Sequence, residues 1–248
     1  MMRDYRLLFG PAAGILFSVG TGVLGTMVPG YSHIRQTVSE IGEMTSAARL
    51  PFAILLCGIA ICIVMFALAL RARSRALGHS SMASYFTGCM AISVVGVGVF
   101  AYPHPLHNLF GLSELIGYQA PLILALTWRD DTRVRSAVKL SWLFYILVVV
   151  AIALNLSPLY GERTLSAYVH PIHGLVQRAL FGAWFGWCFV LGLVLFRPIL
   201  EPKLPGCDNM GPQLLVPGNS QALTIEHGIG TLRSADVWTD EKLPGLQI

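Results

Sequence analysis

The chain has 248 residues, 54% hydrophobic and only 12% charged, about half the charge density of a soluble domain. Its net charge of +4 sits at the ends of apolar runs, which excludes a nucleic-acid footprint. No GxxxxGK[ST] loop or strand-linked GxGxxG is present either, which excludes those modes of nucleotide binding.

Crossing about 30 Å of hydrocarbon takes roughly 20 apolar residues in a helix. The first run, Leu7–Pro29, follows Arg3 and Arg6. It is too long for a signal-peptide core and lacks a small-x-small cleavage site, so a spanning helix is expected. The loop Gly30–Arg49 carries Thr37-Val38-Ser39-Glu40, the spacing of a capping box, ahead of the second run, Leu50–Leu70. Arg71, Arg73 and Arg75 separate that run from the third, Met82–Tyr102.

The short loop Pro103–Asn108 precedes Leu109–Trp128, a run broken only by Glu114. Arg129, Arg133, Arg135 and Lys139 then lead into Leu140–Leu159. The loop Tyr160–His173 leads to the last run, Ala179–Phe196, followed by Arg197 and Lys203. Backbone groups in lipid must be satisfied within the segment, so the pattern predicts an all-α, six-transmembrane-helix bundle over residues 1–198.

Eleven Lys and Arg flank one set of loop ends, against Arg35, Arg49, Arg163 and Arg178 on the other. The positive-inside rule therefore puts both termini in the cytoplasm, in a plasma (inner) membrane. Proline and glycine from Pro198 onward, without an apolar period, predict a flexible cytoplasmic tail over 199–248. Glycines at 14, 20, 22 and 25, at 96 and 98, and at 182, 186 and 192 are expected to let helices approach closely. Trp128 and Trp142 are expected at the cytoplasmic interface.

Five of the seven histidines fall in the outer loops: His33, His104, His107, His170 and His173. His104-Pro105-Leu106-His107 and His170-Pro171-Ile172-His173 each precede a helix that enters from outside, with proline suited to the first helical position. Three readings fit this face. The histidines can cap helices at the water interface. Neutral imidazoles with a nearby carboxylate can hold zinc, with His107, His170 and His173 as ligands. Alternatively, helix N-termini with Arg35 and Arg178 can attract an anion such as a lipid phosphate. Glu114 is a functional candidate because a carboxylate within a membrane span is costly. Gln119 and Asn155 are expected to make interhelical hydrogen bonds.

The stretch from Tyr31 through Ser39-Glu40 to Gly42 resembles the first outer loop of the domain-of-unknown-function 998 family of multi-pass membrane proteins. His107-Asn108-Leu109-Phe110-Gly111 and Gly174–Arg178 are similar to its later motifs. The likeness covers roughly residues 7–198 and implies a six-helix membrane protein with no established reaction. On these motifs His33, Arg35, Asn108, Gln177 and Arg178 are the candidate ligand-binding residues. A looser likeness, to zinc-dependent membrane hydrolases of the alkaline ceramidase type, implies Ser39 beside the histidines as a catalytic group.

Two functions follow as expectations. One is a metal-dependent lipid hydrolase with Glu40 or Glu114 as general base and Arg178 as phosphate or oxyanion partner. The other is a small pH-coupled carrier or sensor of an anionic or lipid ligand, in which histidines titrate near neutral pH and Glu114 is the buried proton site.

Overall fold

The computed structural model describes residues 4–157 and 166–197. The expected tail, and Glu162 and Arg163 of the third outer loop, lie outside them. The described residues form helices and turns without a strand. They include helical segments long and apolar enough to cross a membrane at Tyr5–Thr26, Arg49–Leu77, Met82–Val99, Pro105–Thr127, Thr132–Asn155 and Ser166–Phe196. These coincide with the six apolar runs of the sequence.

Helix α1 (Phe9–Thr26) follows a 3-10 turn whose first amides are capped by Asp4. It is succeeded by α2 (Arg49–Leu77), α3 (Met82–Val99), α4 (Pro105–Gly117), α5 (Ala120–Thr127), α6 (Arg135–Asn155), the single turn α7 (Ser166–Val169) and α8 (His173–Phe196). Helix α2 lies between α1 and α3, α4 runs along α3, and α8 lies against α1 and α6. A Cβ on Gly10 would collide with the Cys188 carbonyl, and one on Gly192 would meet the Leu7 carbonyl at 2.5 Å. Glycine at both positions therefore lets α1 and α8 cross with their backbones nearly touching. Gly22 and Gly182 face open space instead, so the expectation of close approach fails there.

Trp184 and Trp187 fill the centre of the bundle. Trp187 Nε1 donates to Ser141 Oγ at 2.9 Å, tying α8 to α6. The polar residues expected to bridge helices do so. Tyr145 Oη donates to Gln119 Oε1 at 3.1 Å, and Asn155 Nδ2 donates to the Val176 carbonyl at 3.2 Å.

The fourth span is two helices. Pro121 has no N–H for the carbonyl of Gly117, so the ladder breaks between α4 and α5. The freed carbonyl is taken by Trp184 Nε1 at 3.0 Å.

At the arginine-rich end, α2 stops at Gly78, whose φ of 78° suits glycine. His79 Nε2 meets Asp131 Oδ2 at 2.9 Å, and the His79 ring stacks on Trp128 with centroids 5.3 Å apart. Trp128 is thus fully buried beneath the His79 ring. Hydrogen bonds from Arg133, helped by His79, hold the Asp131 carboxyl well below the usual carboxylate range against the effect of burial.

Candidate functional site

At the opposite end, the loop between α1 and α2 folds over α8. Its capping box is real but closes a different element. Glu40 Oε1 accepts from the Thr37 amide at 2.8 Å and from Thr37 Oγ1 at 2.9 Å, starting the 3-10 turn Val38–Gly42. Helix α2 begins later, at Arg49, without a side-chain cap. Glu40 Oε2 accepts from Gln36 Nε2 at 2.9 Å.

Arg178 fastens this loop to α8. Its Nη1 donates to the carbonyls of His33 (2.8 Å), Gln36 (3.0 Å) and Gly174 (3.0 Å). Its Nη2 donates to Tyr31 Oη at 2.6 Å and to His33 Nδ1 at 3.2 Å. Arginine only donates, so Nδ1 of His33 is the accepting nitrogen. Burial and the Arg178 charge both lower the pKa of His33, while burial raises that of Tyr31.

The loop also closes the N-terminus of α8. The amides of Gly174 and Leu175 donate to the carbonyls of Arg35 (3.3 Å) and Ile34 (3.0 Å), and Gln177 Oε1 accepts from the Val38 amide at 2.6 Å. These amides are among the orphan donors of a helix start. Their use here, with Arg35 exposed and Arg178 bonded to the loop, leaves this helix end without the free donors expected for an anion.

Behind the loop lies a cavity of about 810 Å³. It separates the α3–α4 pair from the α6–α8 pair. Its rim carries Ser39, Glu40, His107, Asn108, His173 and Gln177, and its deeper wall is largely apolar, with Phe17, Met90, Leu180 and Trp184. Among the described residues, no lysine or arginine lines it.

His107 is only 5% exposed. Its Nδ1 lies 2.8 Å from the Phe100 carbonyl and 3.2 Å from that of Val97. Two carbonyls require a proton on Nδ1, so in the neutral ring Nε2 keeps the lone pair. Glu114 follows seven residues later, about 10 Å further along the helix axis. It is 7% exposed and accepts a hydrogen bond from Tyr118 Oη at 3.1 Å. Among the described residues it has no cationic partner.

The two His-Pro elements are not equivalent. His104 caps α4 by accepting from the Leu106 amide at 3.1 Å, with Pro105 at the first helical position. His170 instead begins a 3-10 turn, and α8 is preceded by Ile172 with no side-chain cap. His107 and His173 line the cavity, whereas His170 is exposed and does not. Among the described residues, no group of three or more His, Cys, Asp and Glu is placed to hold a metal ion. The expected His107, His170 and His173 zinc set is therefore not assembled.

Ser39 reaches the cavity rim, but no hydrogen bond joins it to a histidine among the described residues. His33, Arg35 and Arg178 build the loop without lining the cavity. Sequence reasoning missed Tyr118, although its spacing of four from Glu114 puts the two on one helix face.

A family model described as protein of unknown function (DUF998) matches residues 11–194. No curated protein matches the chain, and no solved structure does.

Proposed function

The chain belongs to the DUF998 family of proteins of unknown function, and on that premise we propose that this integral membrane protein is a plasma-membrane carrier or sensor for a small amphiphile, with Glu114 as its proton- or ligand-exchanging group. The supporting observation is a nine-tenths-buried carboxylate on the wall of a large, mainly apolar cavity. An ionised carboxylate is expensive there unless it meets a proton or a counter-charge.

Access from the bilayer is supported by Leu112, which lines the cavity yet is 62% exposed on α4. Leu156, just after α6, both lines it and is 38% exposed. An apolar tail can thus pass between α4 and α6 while a polar head stays inside the cavity at Glu114. The arginine-rich end faces the cytoplasm in this reading. The hydrolase alternative draws less support, because it needs a third metal ligand that His170 does not bring to the cavity.

The test is equilibrium binding of radiolabelled hexyl amphiphiles to the full-length protein in lipid nanodiscs. Saturable binding that is lost when Val94→Phe or Leu180→Trp fills the cavity is expected. Partition that never saturates, or that neither substitution alters, contradicts the proposal.

A further inference from the structure

Among the described residues, the carboxylates that line the cavity face no lysine or arginine on its wall. Its ionisable walls are Glu40 from the loop, Tyr102 before α4, His107, Glu114 and Tyr118 on α4, and His173 on α8. Helices α1, α2, α3 and α6 contribute no ionisable group to it. Arg178 lies behind the loop, bonded to the carbonyls of His33 and Gln36, and does not line the cavity. Among the described residues, no lysine or arginine on the wall matches Glu114, which accepts from the neutral Tyr118 hydroxyl alone.

The uncharged part of the wall is rich in rings: Phe17, Phe52, Tyr102, Tyr118, Phe181 and Trp184. Ring faces are negative and attract ammonium groups, the more so where water is excluded. A carboxylate in a dry site surrounded by rings is matched by a cation and mismatched by an anion.

The geometry points to an amphiphile with an ammonium head, primary or quaternary, as the ligand of this cavity, held at Glu114 with its apolar tail directed toward the opening between α4 and α6. This rests on the binding reading above and narrows its ligand, since a sulfate or phosphate head would meet two carboxylates and, among the described residues, no lysine or arginine on the wall. Acidification is expected to weaken binding, because a proton on Glu114 removes the counter-charge.

The test compares hexyltrimethylammonium, hexyl sulfate and hexanol on the full-length protein and Glu114→Gln, in nanodiscs. The tail is constant, so differences report the head. The ammonium probe is expected to bind about tenfold or more tighter than the other two, as for a buried charge pair. Glu114→Gln should abolish that preference, and a thermal unfolding midpoint close to that of the unmodified protein shows that the variant is folded. Equal binding of hexyl sulfate, or a preference that survives Glu114→Gln, overturns the inference while saturable hexanol binding leaves the cavity reading standing. Loss of all saturable binding in the unmodified protein overturns both.

Repeating the series in phosphatidylglycerol and phosphatidylcholine discs separates two sources of ammonium. A smaller advantage over Glu114→Gln in choline discs identifies the lipid's own head group as the occupant. An unchanged advantage identifies a free ammonium amphiphile.

Discussion

Trp184 Nε1 donates to the carbonyl of Gly117 at 3.0 Å, and the bond has a cause four residues further on. Pro121 cannot supply the N–H that a regular helix would give Gly117. The break between α4 and α5 therefore falls within a turn of Glu114 and Tyr118, and the ring that repairs it also lines the cavity. Helix geometry and cavity share one side chain.

Trp184→Phe should leave the buried Gly117 carbonyl without a partner, at a cost of about 1–3 kcal/mol. Pro121→Ala restores a backbone donor, so Trp184→Phe in that background should cost clearly less. A double-mutant cycle on thermal unfolding in detergent measures the difference. Equal penalties in both backgrounds would show that the indole bond does not replace the lost helical one.

The outer loop should be separable from the bundle by small changes at its fastening. A Cβ at Gly174 would collide with the Gln36 backbone, and Arg178→Gln removes a donor set that spans four residues of the loop and helix. Both variants should expose the chain after Arg35 to trypsin faster than in the parent. Arg178→Lys should recover less than half of the protection, because an ammonium lacks the planar fork that reaches Tyr31 and the three carbonyls together.

The six spans were legible because a hydrocarbon slab imposes a length and a composition on any helix that crosses it. The break at Pro121 was legible in principle, since a proline inside an apolar run removes a helical donor whatever surrounds it. The destination of Arg178 was not. Its partners Tyr31, His33 and Gln36 are more than 140 residues away, and nothing local in the sequence distinguishes a loop fastener from an anion site. His170 misled for a related reason. Its His-Pro dipeptide matches that of His104, but the turn it enters is 3-10, and its side chain is exposed and does not line the cavity. Glu114 was legible as an anomaly, a carboxylate in an apolar run, although its partner and its cavity required the fold.

Acid should act on the other end of the bundle through Asp131. Its carboxyl titrates below the ordinary value of 3.8, chiefly through Arg133. The stability it contributes is thus fully present above about pH 4 and is lost as pH falls through the lower folded value. Asp131→Asn should be less stable than the parent at neutral pH and should lose less on acidification below pH ~4. Parallel stability curves across that range would contradict the assignment.

Topology can be read with single cysteines at exposed positions. Met44→Cys on the loop over α8 should react with an impermeant thiol reagent added to intact cells, and Ser80→Cys after Gly78 should react only after lysis. The reverse pattern would put the cavity rim in the cytoplasm.

The central claim is that Glu114 is a buried carboxyl in contact with an exchangeable site. A hydrophobic carbodiimide, which modifies protonated carboxyl groups that face apolar surroundings, tests it most directly when the adduct is located by mass spectrometry of the intact chain. The account predicts modification at Glu114, suppressed by hexyltrimethylammonium and absent in Glu114→Gln. Modification confined to exposed carboxylates, or labelling of Glu114 that the ammonium probe does not diminish, would contradict it.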